Sequence, residues 1–106
     1  MQKLLDNLRS LTSDDLNVIL DKRDSPSFDD AWCEIYELSH NAITQFNTKD
    51  IFIEISKITN HHDICSYISD DLELMNKCQI ANINSDFFNY LKNCYEKGSV
   101  PCEWCS

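Results

Sequence analysis

Apolar residues return along this chain at three- and four-residue intervals, the spacing of a helical face rather than of a strand. Leu4, Leu5 and Leu8 mark a short amphipathic helix over 2–10. Thr12 or Ser13 caps a second helix whose first turn holds Asp14 and Asp15, where carboxylates complement the helix dipole. Its apolar face is Leu16, Ile19 and Leu20. The stretch Arg23-Asp24-Ser25-Pro26-Ser27 reads as a loop, with Ser25 as N-cap and Pro26 at the first helical position of a third helix. That helix is expected over 26–46, with Phe28, Trp32, Ile35, Ser39, Ala42 and Phe46 on one stripe and Tyr36 and Ile43 beside it. Asn47-Thr48 breaks it, and Thr48 caps a fourth helix over 49–60. Ile51-Phe52-Ile53-Glu54-Ile55 would also suit a strand, but Ile51, Ile55 and Ile58 keep the helical spacing and no partner strand is visible.

A fifth helix, over 63–81, is expected to bury Ile64, Tyr67 or Ile68, Leu72, Met75 and Cys78. A sixth, over 86–97 behind a cap at Asn84 or Ser85, buries Phe87, Phe88, Leu91 and Tyr95 in part. Gly98 is a natural residue for the left-handed position after a helix, and Pro101 prevents continuation. The tail, 100–106, is expected to be an ordered arm tucked onto the core by Trp104.

Composition agrees with this pattern. One glycine and two prolines in 106 residues leave little for tight hairpin turns, whereas helical connections manage with Ser, Asn and Asp. The fold class that follows is all-α, a single compact bundle of about five to six helices occupying 1–106 as one domain. An apolar share of 42% suffices for a packed core. No apolar run of about 18 residues exists, and the first residues lack the pattern of a signal peptide, so a cytoplasmic location is expected. The six cysteines (33, 65, 78, 94, 102, 105) are therefore expected to be reduced, four of them lying inside apolar helical runs.

Charge narrows the function further. The net charge of -9 is not spread evenly. Residues 1–23 carry four acids and four bases, and residues 77–106 carry three of each. Between them, 24–76 hold eleven acids against Lys49 and Lys57 alone, a balance of -9. A field of this sign repels nucleic acid, whose binding needs a basic stripe, and steers basic partners inward. On the third helix Asp30, Glu34 and Glu37 form a stripe opposite the apolar one, with Asp29 adjacent. On the fifth, Asp63, Asp70 and Glu73 lie away from the core stripe, with Asp71 nearby. Like charges at i, i+4 cost a helix a few tenths of a kcal/mol, so a stripe with few internal bases suggests an external partner. The candidate partner-binding residues are thus Asp29, Asp30, Glu34, Glu37, Asp63, Asp70, Asp71 and Glu73, although solvated faces are the ordinary reading of charge runs.

Catalytic chemistry is not visible. Adjacent residues on a helix point about 100° apart, so the doublets Asp14-Asp15, Asp29-Asp30 and Asp70-Asp71 do not by themselves build a two-carboxylate site. One glycine cannot build a phosphate-binding loop or a nucleophile elbow, and no local signature activates His40, His61 or His62. No enzyme activity, catalytic residue or cofactor is expected. Cys102-Glu103-Trp104-Cys105 has CxxC spacing, and with Cys65 and His61 or His62 it would give a chemically sound zinc set. The spacing match is incomplete, so no metal is assigned and a small zinc-stabilised adaptor stays an alternative.

The pattern Phe88, Leu91, Tyr95, Gly98, then Pro101-Cys102-Glu103-Trp104, resembles the ending of some bacterial immunity proteins, and Phe28-Asp29-Asp30-Ala31-Trp32 resembles a second piece of the same type. These are the immunity proteins of contact-dependent growth inhibition and related polymorphic toxin systems. The resemblance covers about a quarter of the chain. It implies a protein that plugs the toxic domain delivered by a neighbouring cell, and many such toxins are basic nucleases. The reading that joins charge to resemblance is a monomeric inhibitor in a 1:1 complex with a basic toxin, without nucleic-acid or membrane partners. An acidic nucleic-acid mimic is the competing expectation.

Overall fold

The computed structural model describes residues 2–44 and 46–104. Six helices follow one another: α1 (Gln2–Ser10), α2 (Ser13–Arg23), α3 (Pro26–Ser39), α4 (Thr48–Thr59), α5 (His62–Ile80) and α6 (Asp86–Glu96). No strand occurs among the described residues, and the ambiguous 51–55 segment is helical. The all-α expectation holds.

Local chemistry sets most of the boundaries. Thr12 and Asp15 form a reciprocal capping box at the start of α2, with Asp15 N to Thr12 Oγ1 at 3.1 Å and Thr12 N to Asp15 Oδ2 at 2.9 Å. Ser25 caps α3 ahead of Pro26, and Ser85 caps α6. The end of α6 is a Schellman turn: Ser99 N reaches Cys94 O at 2.8 Å and Gly98 N reaches Tyr95 O at 3.0 Å, with Gly98 at φ +82°. A side chain at Gly98 would also meet the backbone of Lys3 in α1 at 2.8 Å, so this one position needs glycine twice over. Asn82, at φ 55°, closes α5 in the same way.

Three boundaries differ from expectation. The N-cap of α4 is Asn47, one residue before Thr48, and the N-cap of α5 is His61, whose Nδ1 accepts from Ile64 N at 3.3 Å. The larger difference is α3, which stops at Ser39 instead of reaching Phe46. Ser39 Oγ turns back onto Ile35 O at 2.8 Å and Tyr36 O at 3.3 Å, the His40 ring meets Glu37 O at 2.6 Å, and Ala42 N reaches Ser39 O at 2.9 Å, so three of the last four carbonyls find partners locally. Beyond them Thr44 Oγ1 bonds to the Asn76 side chain on α5 and draws the chain across that helix. Phe46 then reaches a depression lined by Leu72, Met75, Phe88 and Tyr95. Ile43, expected beside the buried stripe, is 85% exposed.

Helix α5 is the hub, with α2, α3, α4 and α6 all packed on it, while α1 joins α4 to α6. One part of the core gathers Leu4, Leu8, Leu16, Ile55, Ile64 and Ile68; the other gathers Phe28, Ile35, Leu74, Cys78, Phe87 and Leu91; Met75 packs against both. Within the α5 stripe Ile68 rather than Tyr67 is buried, and Leu74 is buried more deeply than Leu72. Residues 100–104 fold back as an ordered arm, and the last two residues of the expected tail lie outside the described residues. Trp104 sits edge-on to Phe87 at 5.2 Å, and the Tyr90 hydroxyl accepts from Cys102 N and Glu103 N at 3.2 and 2.9 Å. Among the described residues no helix is long and apolar enough to cross a membrane.

Candidate partner-binding surface

The centre of the candidate surface is an interior ion pair that the charge pattern did not reveal. Arg23, the last residue of α2, sends a two-pronged guanidinium to Asp71 on α5, with Nη1–Oδ2 at 2.5 Å and Nη2–Oδ1 at 2.7 Å. Asp71 also accepts from Trp32 Nε1 at 3.0 Å and from the Tyr95 hydroxyl at 2.5 Å. Arg23 Nη1 adds a bond to Pro101 O at 3.2 Å. One buried carboxylate therefore ties α2, α3, α5 and α6 together, and its guanidinium partner reaches the tail. The guanidinium lies between the rings of Phe28 and Tyr67, at 4.6 and 4.7 Å from their centroids. Burial disfavours the Arg23 charge, but the hydrogen bonds and charge of Asp71 outweigh it and hold the group more firmly protonated than usual. Burial, and then the neighbouring Asp71 charge, push the Tyr95 hydroxyl well above its ordinary value.

Asp71 is accordingly withdrawn from the partner-binding set. It is 0% exposed and fully engaged inside the protein, so it presents nothing to a partner. The periodicity of α5 contained the signal: Asp71 falls on the same helical stripe as Ile64, Ile68, Met75 and Cys78, and a lone acid on an apolar stripe demands a buried base. Nothing in the sequence named Arg23 as that base.

Above this pair lies a cleft of about 650 Å³ where the α2–α3 connection meets α5. Buried Arg23 and Phe28 form its floor, and Trp32 and the half-exposed Tyr67 its walls. Asp24, Asp29, Asp30 and Asp70 line its exposed parts. The groove continues along the α3–α5 boundary past Trp32 and Asp70 to Tyr36, Glu73 and Lys77. The two predicted acidic stripes thus converge only in part. Asp29 and Asp30 of α3 face the same cleft as Asp70 of α5, with Glu73 further along. Glu34 and Asp30 border a different depression, against Asp86 and Phe87 at the start of α6. Glu37 is exposed near the end of α3, and Asp63 is exposed in the first turn of α5.

Electrostatics reinforce the concentration. Among the described residues no salt bridge reaches Asp24, Asp29, Asp30, Glu34, Glu37, Asp63 or Asp70, whereas Glu73 has Lys77 at 3.8 Å. Lost hydration raises the Asp70 carboxyl above its ordinary value; Asp71 and Glu73 add to the rise and Arg23 opposes it. On α3, desolvation and then the carboxylates of Asp29, Asp30 and Glu37 push the Cys33 thiol up.

The residues considered for zinc are dispersed. His61 caps α5 and its Nε2 meets Asn17 Oδ1 at 3.1 Å, while Cys65 is fully buried beside Thr59 Oγ1. Cys102 is half-buried in the tail, and Cys105 lies outside the described residues. Among the described residues no three His, Cys, Asp or Glu side chains are grouped to hold a metal ion.

A helical bundle with Asp24, Asp29, Asp30 and Asp70 around one cleft has the features of a small binding protein, and comparison with known families places it among the immunity proteins. The family model Immunity protein PIM1 matches residues 1–102, and the chain belongs to that family. No curated protein and no solved structure matches it.

Proposed function

We propose that this protein is a non-catalytic cytoplasmic antidote that binds a cognate toxin domain and blocks it through the acidic surface of α3 and α5. The toxin is a basic nuclease of a contact-dependent or related polymorphic system, and one copy of the inhibitor covers one toxin domain. The observation that carries this reading is the convergence of Asp29, Asp30 and Asp70 on one aromatic-walled cleft in a chain of an immunity-protein family. Carboxylates held there take the place of substrate phosphates against the toxin's lysines and arginines, and the long-range field raises the encounter rate. Interfacial aromatics such as Trp32, Tyr36 and Tyr67 supply contact area alongside the charge.

The test is co-expression with the toxin encoded in the adjacent gene. Protection of the cell and a stoichiometric complex on co-purification are expected. Absence of both defeats the reading, and capture of several unrelated basic nucleic-acid proteins with comparable affinity supports a nucleic-acid mimic instead.

A further inference from the structure

We propose that the groove between α3 and the start of α6 is a second docking site, and that its occupant is a short segment of the toxin in which an apolar side chain stands beside lysine or arginine. The inference rests on the antidote reading and adds a second contact to the acidic cleft. Its support is an apolar lane that its own cover leaves open, inside a rim of one sign of charge.

Ala31, Ile35 and Leu38 follow one another at four- and three-residue steps, so they share one face of α3. Ile35 is buried in the same part of the core as Phe87 of α6, whereas Leu38 is 61% exposed. The start of α6 thus covers the first part of this face and stops short of Leu38. Leu38 nevertheless lines the same depression as Ile35, Phe87 and the half-buried Trp104, an opening of about 530 Å³. Clefts that receive ligands span about 300–1,000 Å³, so there is room for a short segment. The far wall is held in place: Trp104 sits edge-on to Phe87 at 5.2 Å, and the Tyr90 hydroxyl ties down the two amides before it. A lone surface leucine is ordinary. One that continues a preformed apolar groove with a polar rim has the character of a contact site.

The rim selects what fills the groove. Asp30 and Glu34 stand one turn apart on α3, and Asp86 lies in the first turn of α6. Among the described residues no salt bridge reaches any of the three, and no basic residue lines the groove. A second copy of this chain would bring the same acidic rim and a net charge of -9 against it, so self-association is disfavoured. An anionic ligand meets the same repulsion. A ligand that is only cationic leaves Leu38 and Trp104 in water. A polypeptide segment that sets an apolar side chain against Leu38 and Trp104 and its bases against Asp30, Glu34 and Asp86 satisfies both parts, with the apolar centre and polar rim of a protein interface. The stems of those bases can also lie along the apolar wall.

The groove can be tested without the toxin. The full-length ¹⁵N-labelled protein is titrated at fixed ionic strength with Ac-Lys-Leu-Leu-Lys-NH₂. Two control peptides accompany it: Ac-Lys-Gly-Gly-Lys-NH₂ keeps only the charge, and Ac-Glu-Leu-Leu-Glu-NH₂ keeps only the leucines. The two indole N–H groups report separately, Trp104 for the groove and Trp32 for the cleft. Saturable shifts centred on Trp104 are expected, at least about tenfold tighter for the first peptide than for either control. Leu38→Ser and Glu34→Lys, both at exposed positions that the fold does not depend on, should each weaken that binding, while D14N/D15N in the capping box of α2 should keep it. Equal binding of the three peptides, shifts centred on Trp32 instead, indifference to either groove substitution, or no saturable binding would each overturn the proposal. Peptide binding at Trp104 without protection on co-expression keeps the groove and defeats the antidote reading; the reverse pair of results removes the groove alone.

Discussion

Asp70 and Asp71 are chemically identical neighbours with opposite fates, and the helical turn between them decides which is structural. The 100° step carries Asp71 into the interior beside Arg23 and leaves Asp70 at the cleft. Removing one partner of a buried pair leaves the other charge desolvated, so Asp71→Asn should destabilise by about 3–5 kcal/mol. Asp70→Asn should be neutral or slightly stabilising, within about 0.5 kcal/mol, because its charge makes no salt bridge in the fold. Urea unfolding of both variants checks the contrast, and similar losses at the two sites would contradict the assignment. Tyr90 gives a pH prediction at the same scale. Partial burial is the main reason its hydroxyl titrates at about 12 rather than 10.0, although the Glu103 and Cys102 amides pull the other way. The folded state thus holds this proton more tightly than the unfolded chain. That contribution is complete below pH 10.0 and is lost as pH rises through about 12. Tyr90→Phe should flatten the pH dependence of stability across that window, and urea unfolding on either side of it reads the difference.

At the scale of elements, what the sequence announces well is whatever local chemistry alone decides. Thr12, Ser25, Ser85 and Gly98 each satisfy orphan backbone groups within a few residues, and all four ends fall within one residue of the pattern. The end of α3 is different, because Ala42 and Phe46 continue the helical spacing and no glycine or proline interrupts it. There the decision belongs to a distant residue, Asn76, and to the apolar depression that receives Phe46. Periodicity cannot register a competitor thirty residues away. The Thr12–Asp15 box, by contrast, is local and open to a simple test. Thr12→Ala should cost about 1 kcal/mol, within a range of roughly 0.5–2, by freeing the Asp15 amide. Thermal unfolding should show the loss, and an unchanged midpoint would mean that water replaces the cap at no cost.

At the scale of the molecule, the charge map was legible but its geometry was not. The sum over 24–76 located the acidic half of the chain. It could not show that α3 and α5 are packed neighbours, that Asp71 turns inward, or that Asp29 and Asp70 share a cleft that Glu34 and Glu37 do not line. That separation gives the proposed binding surface two candidate centres, the Asp29–Asp30–Asp70 cleft and the outer flank of α3. Complex formation with the toxin should weaken steeply with salt, mostly through the association rate, whichever centre is used. Reversing Glu34 and Glu37 to Lys should cost more than about 2 kcal/mol of binding if they meet desolvated charges of the toxin. Reversing Asp14 and Asp15 should act on stability instead, since Asp15 belongs to the capping box of α2 and the surrounding 1–23 segment is neutral. Association and dissociation rates measured for these variants, together with D29N/D30N/D70N, rank the two centres. Loss confined to the triple variant places the contact in the cleft, and loss confined to the Glu34–Glu37 reversal moves it to the flank facing α6. Equal loss from all three, Asp14–Asp15 included, reduces the interaction to net charge and removes the case for either surface.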